Sequence, residues 1–144
     1  MLKINFEIVT PERVVLKEQV SQVTAPTKQG EITILPNHIP LVASLMPGVI
    51  EVVKTDGTRE VMSISGGFIE VLKDKVVILA DTAERAEEID VKRVEEARRM
   101  AEQTIKEMRK YDQKSFTDVS ARIAKELART RAVKRWKRIK KIDS

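Results

Sequence analysis

Residues 2–8, Leu-Lys-Ile-Asn-Phe-Glu-Ile, alternate apolar and polar side chains without a break. Successive side chains of a β-strand point to opposite faces, so this stretch predicts a strand with one buried face. Short apolar runs recur as far as Ala80, and the turn signals at 55–58, 65–67 and 73–75 are each short enough for a hairpin. Many short strands at this spacing are typical of a β-sandwich or barrel.

The apolar spacing changes after Ala80. Apolar residues then recur every three or four positions, which is the signature of one buried helix face, at Val94, Ala97, Ala101, Ile105 and Met108. Asp90 stands just before this run, where its carboxylate can cap the first helical turn. We therefore predict a first helix that begins after Asp90.

A second helix is predicted after the interruption at 111–116, where Ser115 and Asp118 resemble the start of a capping box. Its apolar face would comprise Val119, Ile123, Leu127, Ala128, Ala132, Trp136 and Ile139. The short connection implies an antiparallel hairpin. Narrow, alanine-rich faces cannot bury each other fully, so the hairpin needs a third surface, on its own β domain or on a partner. An element with two docking surfaces is a candidate switch.

Charge divides the chain at the same place. Residues 1–88 carry nine basic and 13 acidic side chains, whereas residues 89–144 carry 18 basic and nine acidic ones. All five glycines and all five prolines precede residue 68, so the remaining 77 residues favour helix. We predict a β domain over 1–86 and a helical hairpin over 87–144.

Catalytic constellations are scarce in this composition. The chain has one histidine, His38, in a proline-bounded loop, and no cysteine, which argues against zinc clusters and Cys/His nucleophilic pairs. No glycine-rich phosphate loop is present. These features favour a binding or regulatory protein over an enzyme. No apolar run approaches the ~20 residues of a membrane span, and the start does not resemble a targeting peptide, so we expect the chain to stay where it is made.

The basic C-terminus raises an alternative, nucleic-acid or membrane binding. Residues 129–144 hold eight Lys and Arg side chains against Asp143 alone. Aromatic residues make up 3% of the chain, which leaves no platform for stacking bases. An acidic protein groove or a nucleotide would suit the same charges. Duplex binding would fall steeply with salt, so a gel shift at low salt separates the alternatives.

Several motifs, taken together and in order, resemble the epsilon subunit of bacterial F-type ATP synthase. They are Thr10-Pro11-Glu12-Arg13, the run from Gly30 through Pro40, Pro47-Gly48, Ser65 through Val71, and Ile78 through Ala86. The resemblance implies a β-sandwich of about ten strands followed by an antiparallel two-helix hairpin. It also implies a non-catalytic rotor subunit of a proton- or sodium-driven ATP synthase, joining the gamma subunit to the membrane c ring.

The same resemblance implies regulation and a location. The hairpin would extend toward the alpha and beta subunits of the catalytic head and inhibit ATP hydrolysis, whereas bound ATP would favour the compact form. The protein would be peripheral on the cytoplasmic side of the cell membrane, contacting the membrane only through the complex and binding no nucleic acid. Glu31 and His38 would face the c ring.

A nucleotide site is implied where the first helix begins, at Ile89-Asp90-Val91-Lys92-Arg93-Val94. By resemblance Asp90 and Arg93 would hold ATP, with or without magnesium, and Glu84 would lie near the base. Arg131 and Arg135 would supply further phosphate contacts, and no catalytic cofactor or protein-bound metal is implied. Two residues depart from the family pattern: Val94 replaces a small alanine, and Thr33 stands where glycine is common. Without the resemblance, Asp90 is equally well explained as a helix cap and Arg93 as an exposed helix residue.

Overall fold

A computed structural model describes the backbone of residues 2–107 and 113–143, with side chains for 2–106 and 117–141. The described residues form nine strands, a short 3₁₀ turn at Ala86–Glu88 and two helices. The strands are β1 Ile4–Val9, β2 Val14–Thr27, β3 Gly30–Ile34, β4 Leu41–Leu45, β5 Gly48–Lys54, β6 Arg59–Ile64, β7 Gly67–Val71, β8 Lys75–Ala80 and β9 Ala83–Arg85. The helices are α1 Val91–Glu107 and α2 Gln113–Asp143. The β-sandwich followed by two helices is therefore confirmed.

The long strand β2 connects the two layers of the sandwich. Its first half pairs with β1, which continues through β8 and β7 to β4, and its second half pairs with β3 and β5, followed by β6 and β9. The alternation of residues 2–8 is realised in β1, where Ile4, Phe6 and Ile8 are buried. Among the residues whose side chains the structure describes, the main hydrophobic core draws only on residues 4–83 and takes nothing from either helix.

Two of the three predicted hairpins are observed. The turns at 55–58 and 73–75 join the antiparallel pairs β5–β6 and β7–β8. The prediction of a hairpin at 65–67 is wrong, because β6 pairs with β5 and β9 whereas β7 pairs with β4 and β8. Gly66 and Gly67 have φ angles of 122° and 141°, which turn the chain from one part of the sandwich to the other.

The short strands β4 and β9 were not expected. Each is held by its neighbours: β4 pairs with β7, and the three-residue β9 adds to the edge of β6. The unusual Thr33 lies in regular pairing opposite Thr24, and their hydroxyl oxygens are 3.0 Å apart. Strand β3 therefore accommodates a side chain at this position.

The helices form an antiparallel pair, because Val94 at the start of α1 packs with Ala132 and Val133 in the second half of α2. The chain's own sandwich supplies the third surface: Ala132 and Val133 pack on Val49 of β5 and Val61 of β6, with Trp136 beside them. We call these residues the docking cluster.

Two details of the second helix differ from prediction. α2 is already helical at Gln113, so the predicted interruption at 111–116 does not extend beyond 112 and Ser115 does not begin the helix. Residues 108–112 lie outside the described residues, and they include Met108 of the predicted first helix face. Leu127 is partly exposed, whereas Glu126 and Val133 are buried. The small side chains of Ala128 and Ala132 let the helix lie close to the sheet, and this leaves Leu127 on the outer side.

Candidate functional site

Asp90 caps helix α1. Its Oδ1 accepts hydrogen bonds from the backbone N–H groups of Lys92, at 3.1 Å, and Arg93, at 3.4 Å. These amides would otherwise lack partners in the first helical turn. Asp90 and Arg93 are both exposed, so the Asp90 carboxylate and the Arg93 side chain face solvent at the start of the hairpin.

A cleft of about 190 Å³ opens between the first turns of α1 and the second half of α2. Its lining is apolar at the base and charged at the rim: Ile89, Val91, Val94, Glu95, Thr130, Val133, Lys134 and Lys137. Ile89 and Val94, both predicted site residues, thus lie here together. Val94 is 1% exposed and fills space that a smaller residue would leave open. We call this space the interhelical cleft.

The two predicted arginines of α2 do not line this cleft. Arg131 is exposed, and its Nε donates to the carbonyl oxygen of Leu127 in its own helix. Arg135 turns toward the sandwich and forms ion pairs with Glu31 at 3.7 Å and Glu51 at 3.6 Å. The structure therefore separates Arg135 from Asp90 and Arg93.

Glu84 is engaged by a residue that sequence reasoning missed. Nε of Arg129 lies 2.7 Å from Glu84 Oε2, and Nη1 of Arg129 lies 3.0 Å from Oε2 of Glu126. Glu126 is 5% exposed, so Arg129 neutralises a buried carboxylate while tying α2 to β9. Sequence alone did not single out Arg129, because it lies in a basic run, 129–141, in which no Lys or Arg is distinguished from the others by its sequence position.

A second charged group lies beside the docking cluster. Lys54 contacts Glu18 at 3.1 Å and Glu60 at 3.3 Å, and Arg85 contacts Glu60 at 3.1 Å. Partial burial opposes the charge of Lys54, but the close carboxylates of Glu18 and Glu60 outweigh that effect and raise its pKa above the ordinary value. These pairs join β2, β5, β6 and β9.

The sandwich exposes apolar side chains away from the hairpin. Phe68 and Leu79 are direct neighbours across β7 and β8, and Val42 lies on the adjacent strand β4. Phe68 is 56% exposed and Val42 71% exposed, which is unusual for residues in the middle of a sheet. We call these three residues the sheet patch.

A second exposed apolar group lies in the loop between β3 and β4. Leu35 and Ile39 are exposed there, and the half-buried His38 makes a 2.7 Å hydrogen bond between its Nδ1 and the carbonyl oxygen of Ile39. Glu31, the other residue expected on this side, meets Arg135 of the docked helix.

Within the described residues, no helix is both long enough and apolar enough to cross a bilayer. The same residues contain no group of three or more acidic, histidine or cysteine side chains suited to a metal ion.

Comparison with known proteins identifies the fold and its lineage. Residues 3–86 match the family described as "ATP synthase, Delta/Epsilon chain, beta-sandwich domain". A chain of the mitochondrial ATP synthase of Euglena gracilis, solved with OSCP, F1 and c-ring, superimposes with a TM-score of 0.78 at 25% identity, covering 89% of this chain and 79% of that one.

Curated relatives narrow the assignment from the Delta/Epsilon family to the epsilon chain. The ATP synthase epsilon chain of Herpetosiphon aurantiacus is 47% identical over 85% of this chain and 90% of its own length. That of Brevibacillus brevis is 51% identical over 74% of this chain and 81% of its own length. The chain belongs to the epsilon-chain family of F-type ATP synthases.

Proposed function

We propose that this epsilon-family chain is a non-catalytic rotor subunit whose helical hairpin is a detachable brake on ATP hydrolysis. The observation that carries the proposal is the docking of α2. Helix α2 rests on the sandwich through a cluster of small and medium side chains separate from the main core. If α2 left that surface, the hairpin would therefore lose these contacts, but the β domain would not be disrupted.

Two surfaces suit the rotor partners. The sheet patch offers an apolar face for the gamma subunit, because exposed aromatic and branched side chains of this kind become buried at stable interfaces. The loop bearing His38, Leu35 and Ile39 would meet the c ring, as the family resemblance implies. The chain would then be held peripherally at the cytoplasmic side of the membrane through the complex.

The charge of α2 supports an inhibitory contact with the catalytic head. Arg129 and Arg135 engage carboxylates of the sandwich when docked, and the same cations could meet acidic side chains of the alpha and beta subunits when α2 is released. Because ion pairs to the sandwich would be replaced by ion pairs to the catalytic head, the docked and released states of α2 would differ little in free energy. This exchange also makes the balance sensitive to salt.

A covalent lock tests the brake. The chain has no native cysteine, and Asp81 and Lys125 of α2 line one surface pocket, so Asp81→Cys with Lys125→Cys can be joined by a thiol crosslinker. In the reconstituted ATP synthase head, we expect the crosslinked chain to permit ATP hydrolysis and the uncrosslinked chain to inhibit it. Each single cysteine variant treated with the crosslinker is the control. Equal hydrolysis in crosslinked and uncrosslinked complexes would refute the brake.

ATP would favour the compact form by binding where the two helices meet. Asp90 and Arg93 stand at the start of α1, beside the interhelical cleft, and polyphosphate bound there would draw on both helices. Magnesium could accompany the nucleotide there. ATP titrations of the wild-type chain and of Arg93→Gln test the site by calorimetry.

A test of the Asp90 charge requires a substitution that keeps the helix cap. Asn caps a helix about as well as Asp, so Asp90→Asn removes the charge alone, whereas Asp90→Ala also removes the cap. If Asp90 contacts the nucleotide through its charge, Asp90→Asn changes the affinity while leaving helix content unchanged. Identical ATP binding by the wild type, Asp90→Asn and Arg93→Gln would place the nucleotide elsewhere.

A further inference from the structure

We infer that the sheet patch is one part of a larger docking surface, which continues into a polar groove on strands β1 and β2 and receives an acidic side chain of the same partner at Lys17. This inference rests on the proposed contact between the sheet patch and the gamma subunit. It specifies the residues that orient that partner on the sandwich. The partner would present an apolar surface with a carboxylate beside it.

A groove of about 390 Å³ lies where β1 runs between β2 and β8. Strand pairing sets its sides, because Asn5 pairs with Gln19 on one side and Lys75 on the other, and Glu7 pairs with Lys17. We call it the β1–β2 groove. The polar residues that line it are Asn5, Glu7, Lys17, Glu18, Gln19 and Lys75.

The β1–β2 groove and the sheet patch share one face of the sandwich. Along β8, Lys75 lines the groove and Leu79 belongs to the patch, and residues four apart in a strand point to the same side. Val76 and Ile78 between them are buried, so that side faces outward. Helix α2 packs on β5 and β6 in the other layer. A partner bound to this face could therefore stay in place while the hairpin moves.

The sheet patch alone is too small for a stable interface. A standard interface buries roughly 800 Å² on each partner. Complete burial of a large aromatic side chain covers about 150–250 Å², and the three side chains of the patch are already partly covered by the sheet. They therefore supply well under the usual area, and the β1–β2 groove adjoins them on the same face.

The charges of the β1–β2 groove favour an acidic partner. Glu7 Oε2 lies 3.8 Å from Nζ of Lys75. The Glu18 carboxylate lies 3.1 Å from Nζ of Lys54. Lys17 is exposed and, among the side chains that the structure describes, has no carboxylate within ion-pair distance. One cation is therefore left over, and a carboxylate of the partner would complement it.

Association of the full chain with purified gamma subunit, followed by surface plasmon resonance at several salt concentrations, tests the assignment. Charges at the edge of an interface act mainly on the association rate and its salt dependence. We expect Lys17→Gln to slow association about threefold to tenfold at low salt, and the difference to shrink as salt is raised. Arg138→Gln, which removes an equal charge from an exposed position of α2, is the matched control.

Glu7→Gln removes the negative charge opposite Lys17, so we expect it to speed association, which damage to the sandwich could not do. Phe68→Asp separates the two proposals, because it places a charge in the sheet patch and leaves the groove intact. Binding lost in Phe68→Asp but unchanged in Lys17→Gln and Glu7→Gln would overturn the inference and keep the proposed gamma contact. Unchanged binding in Phe68→Asp would reject both.

Discussion

Arg129 of α2 reaches Glu84 of β9 across 2.7 Å, and the same guanidinium group contacts the buried carboxylate of Glu126. One side chain therefore joins the hairpin to the β domain and neutralises a charge within the hairpin. Removing it would leave Glu126 buried without a cation, which is costlier than losing the pair altogether.

We predict that Arg129→Met weakens hairpin docking by about 1.5–3 kcal/mol, the range for a hydrogen bond to a charged group. Hydrogen exchange of α2 backbone amides measures the change, because a less firmly docked helix loses protection. Arg138→Met, an equal substitution at an exposed position, should leave protection unchanged. Comparable exchange in the two variants would show that Arg129 is dispensable.

Glycine at position 67 is required by packing as well as by backbone conformation. A Cβ there would collide with the carbonyl group of Leu79 in β8, whereas a Cβ at Gly30 would meet nothing. Both residues have positive φ angles, 141° and 122°. We predict that Gly67→Ala lowers the free energy of unfolding by about 1–3 kcal/mol more than Gly30→Ala, the usual cost of overpacking. Urea denaturation measures the difference, and equal losses would mean that the β7–β8 pairing can shift freely.

The β domain should fold without the helices. Every described residue of the main core lies between 4 and 83, so a chain ending at Glu88 keeps all of them. We expect a cooperative urea transition for the truncated chain, with Val49 and Val61 newly exposed. This tests the predicted division into 1–86 and 87–144. A truncated chain that lacks a cooperative transition would show that the hairpin is part of the folding unit.

The contacts of Lys54 should make stability depend on alkaline pH. The pKa of Lys54 is raised in the folded chain, so its stabilising contribution is complete below its unfolded pKa of about 10.5 and is lost as pH rises through the folded value. We predict that Lys54→Met is less stable than the wild type at neutral pH, and that the difference narrows above about pH 10.5. Chemical denaturation from pH 8 to pH 12 measures this difference. A constant gap across that range would contradict the ion-pair explanation.

Periodicity predicted the layout of this fold because it records which face of each element is buried. Strand β1 and the start of α1 follow their patterns closely. The pattern could not predict that Gly66 and Gly67 cross between layers, since a crossing and a hairpin need the same permissive residues. Strand β9 is too short to have a detectable period.

The candidate site was harder to predict than the fold. The capping position of Asp90 followed from its place before an apolar repeat, and the structure places it there. The directions of Arg131 and Arg135 depend on which side of α2 meets the sandwich, and that side is chosen by tertiary packing. Within a run so rich in Lys and Arg, sequence alone cannot separate cations that pair with the sandwich from those that line the cleft.

The position of Trp136 gives the hairpin a built-in optical signal. It is the only tryptophan in the chain, it belongs to the docking cluster, and Nζ of Lys140 lies 4.5 Å from its ring centroid. Release of α2 would transfer this indole from a partly apolar setting to water, with a change in its emission spectrum. The conformation of the unlabelled protein can thus be followed in real time, free of interference from any second indole.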